Sequence, residues 1–161
     1  MFSSITVESL NAPSDDAKTF EKGMVAGLRE APAHWQRAIM PHHFGRAAGP
    51  KYGYKIRSAR YLARKWKKKH HQDDLVYSGE ARRQMRGRYD RARVSRIPTG
   101  RSATLKIHAP AYFYKYRPGQ PDKAAEVVAT TEDEANELRE VIENTIDQTL
   151  ARAHVRKVRK L

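Results

Sequence analysis

Four of the histidines stand in two adjacent pairs, His42-His43 and His70-His71, and the second pair is followed at once by Asp73 and Asp74. Imidazole suits zinc, and paired carboxylates beside it would suit a metal-dependent nuclease. Neighbouring side chains along a chain point apart, so a His-His pair does not converge on one ion. There is no cysteine to complete a site and no His-Glu-x-x-His spacing. The histidines therefore read as surface or interface residues, and Asp73-Asp74 as a helix stop and loop. Phosphate-cradling Gly-rich loops, a Gly-x-Ser-x-Gly elbow and an isolated pair of acids in an apolar setting are all missing from the sequence. No catalytic residue, metal ligand or cofactor is assigned, and the chain is expected not to be an enzyme.

The chemistry on offer is instead that of a polycation. From Arg46 to Lys69 ten lysines and arginines occur without an acid. From Arg46 to Arg101 there are eighteen against Asp73, Asp74, Glu80 and Asp90, a net of +14, while the rest of the chain balances fourteen bases with fourteen acids. One stretch thus owns the whole imbalance, which points to a polyanion or an acidic protein surface as partner. Tyr52, Tyr54, Tyr61 and Trp66 lie within it and could stack on bases; the competing reading makes them core and the charges a solvated face. DNA or RNA is expected as a partner through its phosphates, without sequence readout, because no helix-turn-helix, zinc-finger or RNA-recognition signature is present.

Those cations need an element to hold them. Ala59, Leu62, Ala63 and Trp66 fall at i, i+3, i+4 and i+7, one apolar helical face, which leaves Arg57, Arg60, Arg64, Lys67 and Lys68 on the opposite arc. With Lys65 and Lys69 they form the candidate basic face. Like charges three and four apart each cost a helix about 0.2 to 0.5 kcal/mol, so this one gains from an external anion.

The remaining pattern is α+β. Ile5-Thr6-Val7 reads as a short strand. Ser14-Asp15-Asp16 caps an amphipathic helix to about Glu30, and Pro32 opens a second short helical piece with Trp35 and Ile39 that Pro41 closes. Residues 42–54, rich in glycine, read as loop. Residues 89–107 alternate around Pro98-Thr99-Gly100, an antiparallel hairpin. Ala111–Tyr116 and Ala125–Ala129 are expected as further strand pieces. Thr131-x-x-Glu134 is a capping box, and Ala135, Leu138, Ile142, Ile146 and Leu150 behind it give a long amphipathic helix. Its start carries Glu132, Asp133, Glu137, Glu140 and Glu143, an acidic interface candidate, and its end is basic, both suited to the helix dipole.

At 161 residues, one α+β domain over 1–161 is expected, with a basic loop and helical arm at 42–74 inside it and a basic tail at 154–161. Mean hydropathy is negative, so the core is thin or shared, a hint of oligomerisation. No run approaches the roughly 20 apolar residues that span a bilayer, and the first residues do not resemble a signal peptide. No membrane partner is expected.

Leu75 to Met85, Leu-Val-Tyr-Ser-Gly-Glu-Ala-Arg-Arg-Gln-Met, differs in kind. It reads as a short apolar strand ending at Ser78, which caps a helical turn, with Gly79 where a side chain would be crowded. This segment resembles the Leu-Val-x-Ser/Thr-Gly-x-Leu-Arg motif of the tail-completion and head-to-tail joining (neck) proteins of tailed bacteriophages. In that family it links the N-terminal helix to a β-hairpin, and the similar order of elements extends over Phe44 to Leu150. Ala81 replaces the usual larger aliphatic, and Tyr114 to Gly119 stands where the family has Glu-x-Gly-Thr.

The resemblance implies Leu75, Ser78, Gly79, Arg82 and Arg83 as structural motif positions. It implies a structural virion protein, assembled in the host cytoplasm, that forms a homo-oligomeric ring with portal, adaptor or tail proteins as neighbours. In such a ring the basic face meets passing double-stranded DNA nonspecifically or pairs with a neighbour's acidic helix. A cytoplasmic nonspecific nucleic-acid-binding protein, ribosome-associated in type, explains the charge equally well but not the acidic capped helix.

Overall fold

The computed structural model describes residues 2–8, 17–87, 91–97, 100–115 and 119–158. The fold is α+β. The chain divides into two compact units: unit 1 holds Trp35–Tyr89 and Ile107–Glu134, and unit 2 holds Phe2–His34, Asp90–Lys106 and Ala135–Leu161.

Unit 2 is a helix-backed sheet. Strand β1 (Phe2–Glu8), longer than the expected 5–7, pairs antiparallel with β3 (Gly100–Lys106), which pairs on its other edge with β2 (Arg93–Ile97). Ile5 and Val94 both lie opposite Ala103. The expected hairpin is present, although its turn at Pro98-Thr99 lies outside the described residues, as does the Ser14-Asp15-Asp16 cap. Period-two alternation works as read: Ala103 and Leu105 are buried and Lys106 is exposed. Helix α1 (Ala17–His34) covers this sheet and buries Met24, Leu28 and Ala31.

The buried stripe of α6 (Glu132–Val158), Leu138, Ile142 and Ile146, meets α1 in this unit. Two glycines one helical turn apart make the approach possible. A Cβ on Gly27 would stand 3.0 Å from the Ile142 carbonyl oxygen and 3.1 Å from its Cα, and one on Gly23 3.1 Å from the Ile146 Cα. Only hydrogen at those positions lets the two backbones touch. Helix α6 runs to Val158, so the expected tail is helical over 154–158.

Several expectations for residues 32–54 are corrected. Pro32 does not start a new helical piece; it lies inside α1. Proline has no N–H for the Leu28 carbonyl, and the ladder loosens directly afterwards into a π-turn at Trp35–Ile39. Pro41 opens the 3₁₀ turn Met40–Phe44 rather than closing anything. Residues 42–54 are not a loop: α2 (Ala48–Tyr52) forms there, ended by Gly53 at φ 64° with its N–H on the Gly49 carbonyl.

Unit 1 is built from short helices around Trp35, Ile39, Met40, Phe44, Met85, Phe113 and Val127, all buried. Helix α3 (Ala59–Lys69) starts on Ser58, whose hydroxyl accepts from the Tyr61 N–H. Helix α4 (Glu80–Gly87) turns Ala81 and Met85 inward. The two expected strand pieces are not strands. Ala111–Phe113 is a 3₁₀ turn, and α5 (Lys123–Val128) is a helix because Asp122 caps it, accepting from Ala124 and Ala125 N–H.

Candidate nucleic-acid interface

Of the seven cations of the candidate basic face, five are exposed and two serve the scaffold. Arg57 donates both guanidinium nitrogens to the Glu126 carboxylate, at 2.9 and 2.6 Å, and a third contact to the Lys55 carbonyl. Both partners are largely buried. Burial works to lower the Arg57 pKa, but the paired carboxylate outweighs it and the net direction is upward. Lys65 is only 3% exposed, and its ammonium donates to the Asp73 carbonyl oxygen. Burial lowers its pKa, opposed by Asp74 and Asp73.

Helix α3 is accordingly rotated from the expected orientation. Its inward side is Tyr61, Leu62 and Lys65, whereas Trp66, expected as an apolar anchor, is 56% exposed. The long aliphatic stem of Lys65 can occupy apolar surroundings while its head finds a carbonyl. The indole is displaced about 100° around the axis by the same geometry. Arg60, Arg64, Lys67, Lys68 and Lys69 remain exposed, and none of them has a carboxylate partner among the described residues. Arg64 lies 6.0 Å from the Tyr61 ring centre and Lys69 5.3 Å from that of Tyr77. His70 ends the helix in the left-handed region at φ 56°.

The motif at Leu75 to Met85 holds its arginines outward but not in the expected way. Leu75 is no strand residue; it has φ 53° within a turn. Ser78 is exposed and makes no capping hydrogen bond among the described residues. Gly79, at φ 77°, precedes α4 and accepts the Arg83 N–H with its carbonyl. A Cβ there would meet no atom within 4 Å, so glycine is required by backbone angle, not by crowding. Arg82 and Arg83, with Arg86, border a shallow concavity beside Ser78 and Gly79.

The histidines separate. His43 is fully buried, stacked on Tyr52 at 3.9 Å between ring centres, with Nδ1 2.5 Å from the Tyr54 hydroxyl and 3.2 Å from the Glu126 carbonyl oxygen. Burial pushes its pKa down to about 4, which keeps it neutral. His71 Nδ1 is 3.9 Å from Asp73, beyond hydrogen-bond reach. No group of three metal-ligating side chains occurs among the described residues.

The acidic candidates Glu132, Asp133, Glu137, Glu140 and Glu143 are all exposed on α6, the first two in unit 1 and the others in unit 2. Glu137 is already engaged by His34 Nε2 at 2.6 Å. Glu134 behaves differently: it is buried and accepts from Lys51 and Tyr52 at 2.6 Å each while closing the capping box with Thr131. Burial raises its pKa, but these donors outweigh burial and hold the carboxylate below its ordinary value. The capping box itself is as the sequence predicts.

Two features were not foreseen. Tyr112 and Lys123 join the basic region from far along the chain, which local pattern cannot reveal. The charge also divides unevenly: unit 1 has eighteen Lys and Arg against eight acids, net +10, and unit 2 fourteen against ten, net +4. The arginines of β2 and β3 thus belong to a different unit from α3. Comparison with known proteins gives no relative: no family model, curated protein or solved structure matches the chain. No helix among the described residues is long and apolar enough to cross a membrane.

Proposed function

We propose that the chain is a non-enzymatic structural protein that holds double-stranded DNA by its phosphates, as a ring-forming component of the head-to-tail (neck) junction of a tailed bacteriophage. The DNA part of this reading rests on one observation, the exposed stripe Arg60, Arg64, Lys67, Lys68 and Lys69 on a helix with no acid in it. Arg60, Arg64 and Lys68 recur at four-residue intervals over about 12 Å of helix axis. Such a surface tracks phosphates and offers no pattern for reading bases. The virion setting rests on the resemblance of Leu75 to Met85, and ring closure on the exposed acids of α6, which suit a head-to-tail contact with a basic neighbour.

Reversal of three stripe residues, Arg60→Glu, Lys67→Glu and Lys68→Glu, tests it. If all five cations meet phosphates, the logarithmic salt slope of duplex binding is about −4.5, and losing three contacts flattens it to about −2. The subunit stays folded because all three side chains are exposed. Full duplex affinity in the reversed protein, with a loss of large assemblies in light scattering, would instead assign the stripe to a neighbour's acids. That second reading is favoured by Glu132, Asp133, Glu140 and Glu143. A monomer that copurifies with RNA would refute the ring.

A further inference from the structure

Unit 1 contains a groove of about 810 Å³ running along α3, the turn before α4, and the segment from Gly119 to Lys123. Its volume is within the range of small-ligand and nucleotide sites. Three tyrosines line it, Tyr61, Tyr77 and Tyr112. Each has a cation beside its ring: Arg64 and Lys65 at 6.0 Å from Tyr61, Lys69 at 5.3 Å from Tyr77, and Lys123 at 5.2 Å from Tyr112. Tyr77 and Tyr112 are partly exposed, and Ile56 at the same groove is 93% exposed. The groove cations are not equivalent. Lys55, Arg57 and Lys65 are committed to the Gly119 carbonyl, Glu126 and the Asp73 carbonyl, and so shape the walls. Arg64 and Lys123 at the groove, and Lys69 beside it over the Tyr77 ring, have no carboxylate partner among the described residues.

We propose that this groove binds single-stranded DNA, with unstacked bases against Tyr77 and Tyr112 and phosphates held by Arg64, Lys69 and Lys123. The inference rests on the reading of α3 as a DNA contact and extends it, because Arg64 and Lys69 belong both to the exposed stripe and to the groove's tyrosine–cation pairs. A duplex keeps its bases inside the stack, where aromatic groove walls cannot reach them. An unpaired strand or frayed end presents both ring faces and phosphates, the pair of features that alternating tyrosines and cations match. The amides of Gln72 and Gln120, also at the groove, can donate to and accept from base edges without selecting one base. An acidic peptide would satisfy the cations but leave the three phenol rings to be covered by other means.

The test compares a labelled oligothymidylate and a labelled duplex by fluorescence anisotropy on the full chain. Tyr77→Leu with Tyr112→Leu should lower single-strand affinity about tenfold or more, since each stacked base contributes on that scale, while duplex affinity changes by less than about twofold. Replacing both by phenylalanine preserves the ring faces and should restore single-strand binding, which separates stacking from a folding defect. Equal losses on both ligands, no loss, or a phenylalanine pair as weak as the leucine pair would overturn the proposal. So would a Glu-, Leu- and Tyr-containing peptide that occupies the groove and is not displaced by oligothymidylate. Failure of the duplex reading shows separately, as unchanged duplex affinity after reversal of Arg60, Lys67 and Lys68.

Discussion

The buried imidazole of His43 should make unit 1 lose stability in mild acid. In the folded protein its pKa is pushed down to about 4, chiefly by burial; unfolded it returns to 6.5. Between those values the unfolded chain binds the proton and the folded one does not, so stability falls as pH falls. One pH unit on that limb is worth at most 1.36 kcal/mol, so moving from pH 7 to pH 5 should remove about 2 kcal/mol, and the whole shift about 3 kcal/mol. Burial, with Lys51 and His42 opposing a further positive charge, outweighs the Glu134 carboxylate and the Glu126 carbonyl at Nδ1, both of which favour the protonated ring. Glu134 itself, held below its ordinary 4.5, begins to lose its contribution only at still lower pH. Urea unfolding monitored by Trp35 fluorescence, in a Trp66→Phe background, reads this unit alone; with a slope near 2 kcal/mol per molar, the midpoint should move by about 1 M. His43→Gln should flatten the dependence. An equal pH slope in parent and His43→Gln protein would refute the reasoning.

Packing and pairing give two further outcomes. Gly27→Ala drives a methyl against the Ile142 backbone, whose atoms cannot rotate away, so a loss of about 1 to 3 kcal/mol is expected in thermal unfolding; an unchanged melting temperature would show that α1 and α6 do not touch there. Glu126→Gln leaves the Arg57 guanidinium largely buried beside a neutral amide and should cost about 3 kcal/mol or more, and Arg57→Met added to it should recover part of that loss. No recovery in the double variant would mean that Glu126 acts through its contact with the Lys55 N–H instead.

What the sequence made legible was local. Thr131 and Glu134 satisfy each other three residues apart, so the capping box needs no knowledge of the fold, and the Ala103-Leu105 alternation needs only one buried sheet face. Other positions are decided by a cap a few residues away or by a partner far along the chain. Val127-Val128 suggested a strand, yet Asp122 had already fixed a helix start and Val127 is buried in it. Gly49-Pro50 looked like loop, yet Pro50 sits in the first turn of α2, where its missing N–H costs nothing, and Gly53 ends the helix in the left-handed region. Arg57 was assigned to the solvent face because its partner, Glu126, lies 69 residues away. No helical wheel contains that information.

The rotation of α3 also decides how the exposed aromatic residues are to be understood. A single exposed tryptophan needs no explanation on a protein surface. Here, however, the exposed large hydrophobic residues among those described are Ile56, Trp66, Tyr77, Tyr112 and Tyr114, and all five belong to unit 1. That unit also carries the greater part of the net charge. Packing did not require this, because burying Trp66 and exposing Lys65 would leave less apolar surface in water and free a cation. The chain instead uses Lys65 to tie α3 to the Asp73 carbonyl and Arg57 to tie its approach to Glu126, and both ties fix the helix with its indole and five cations outward. Aromatic faces and unpaired positive charge on one unit are the two ingredients of a phosphate-and-base surface. Unit 2, with its Gly-mediated helix contact and no exposed large hydrophobic side chain among the described residues, is suited to a scaffold. What distinguishes the α3 surface is which cations are committed internally and which are not.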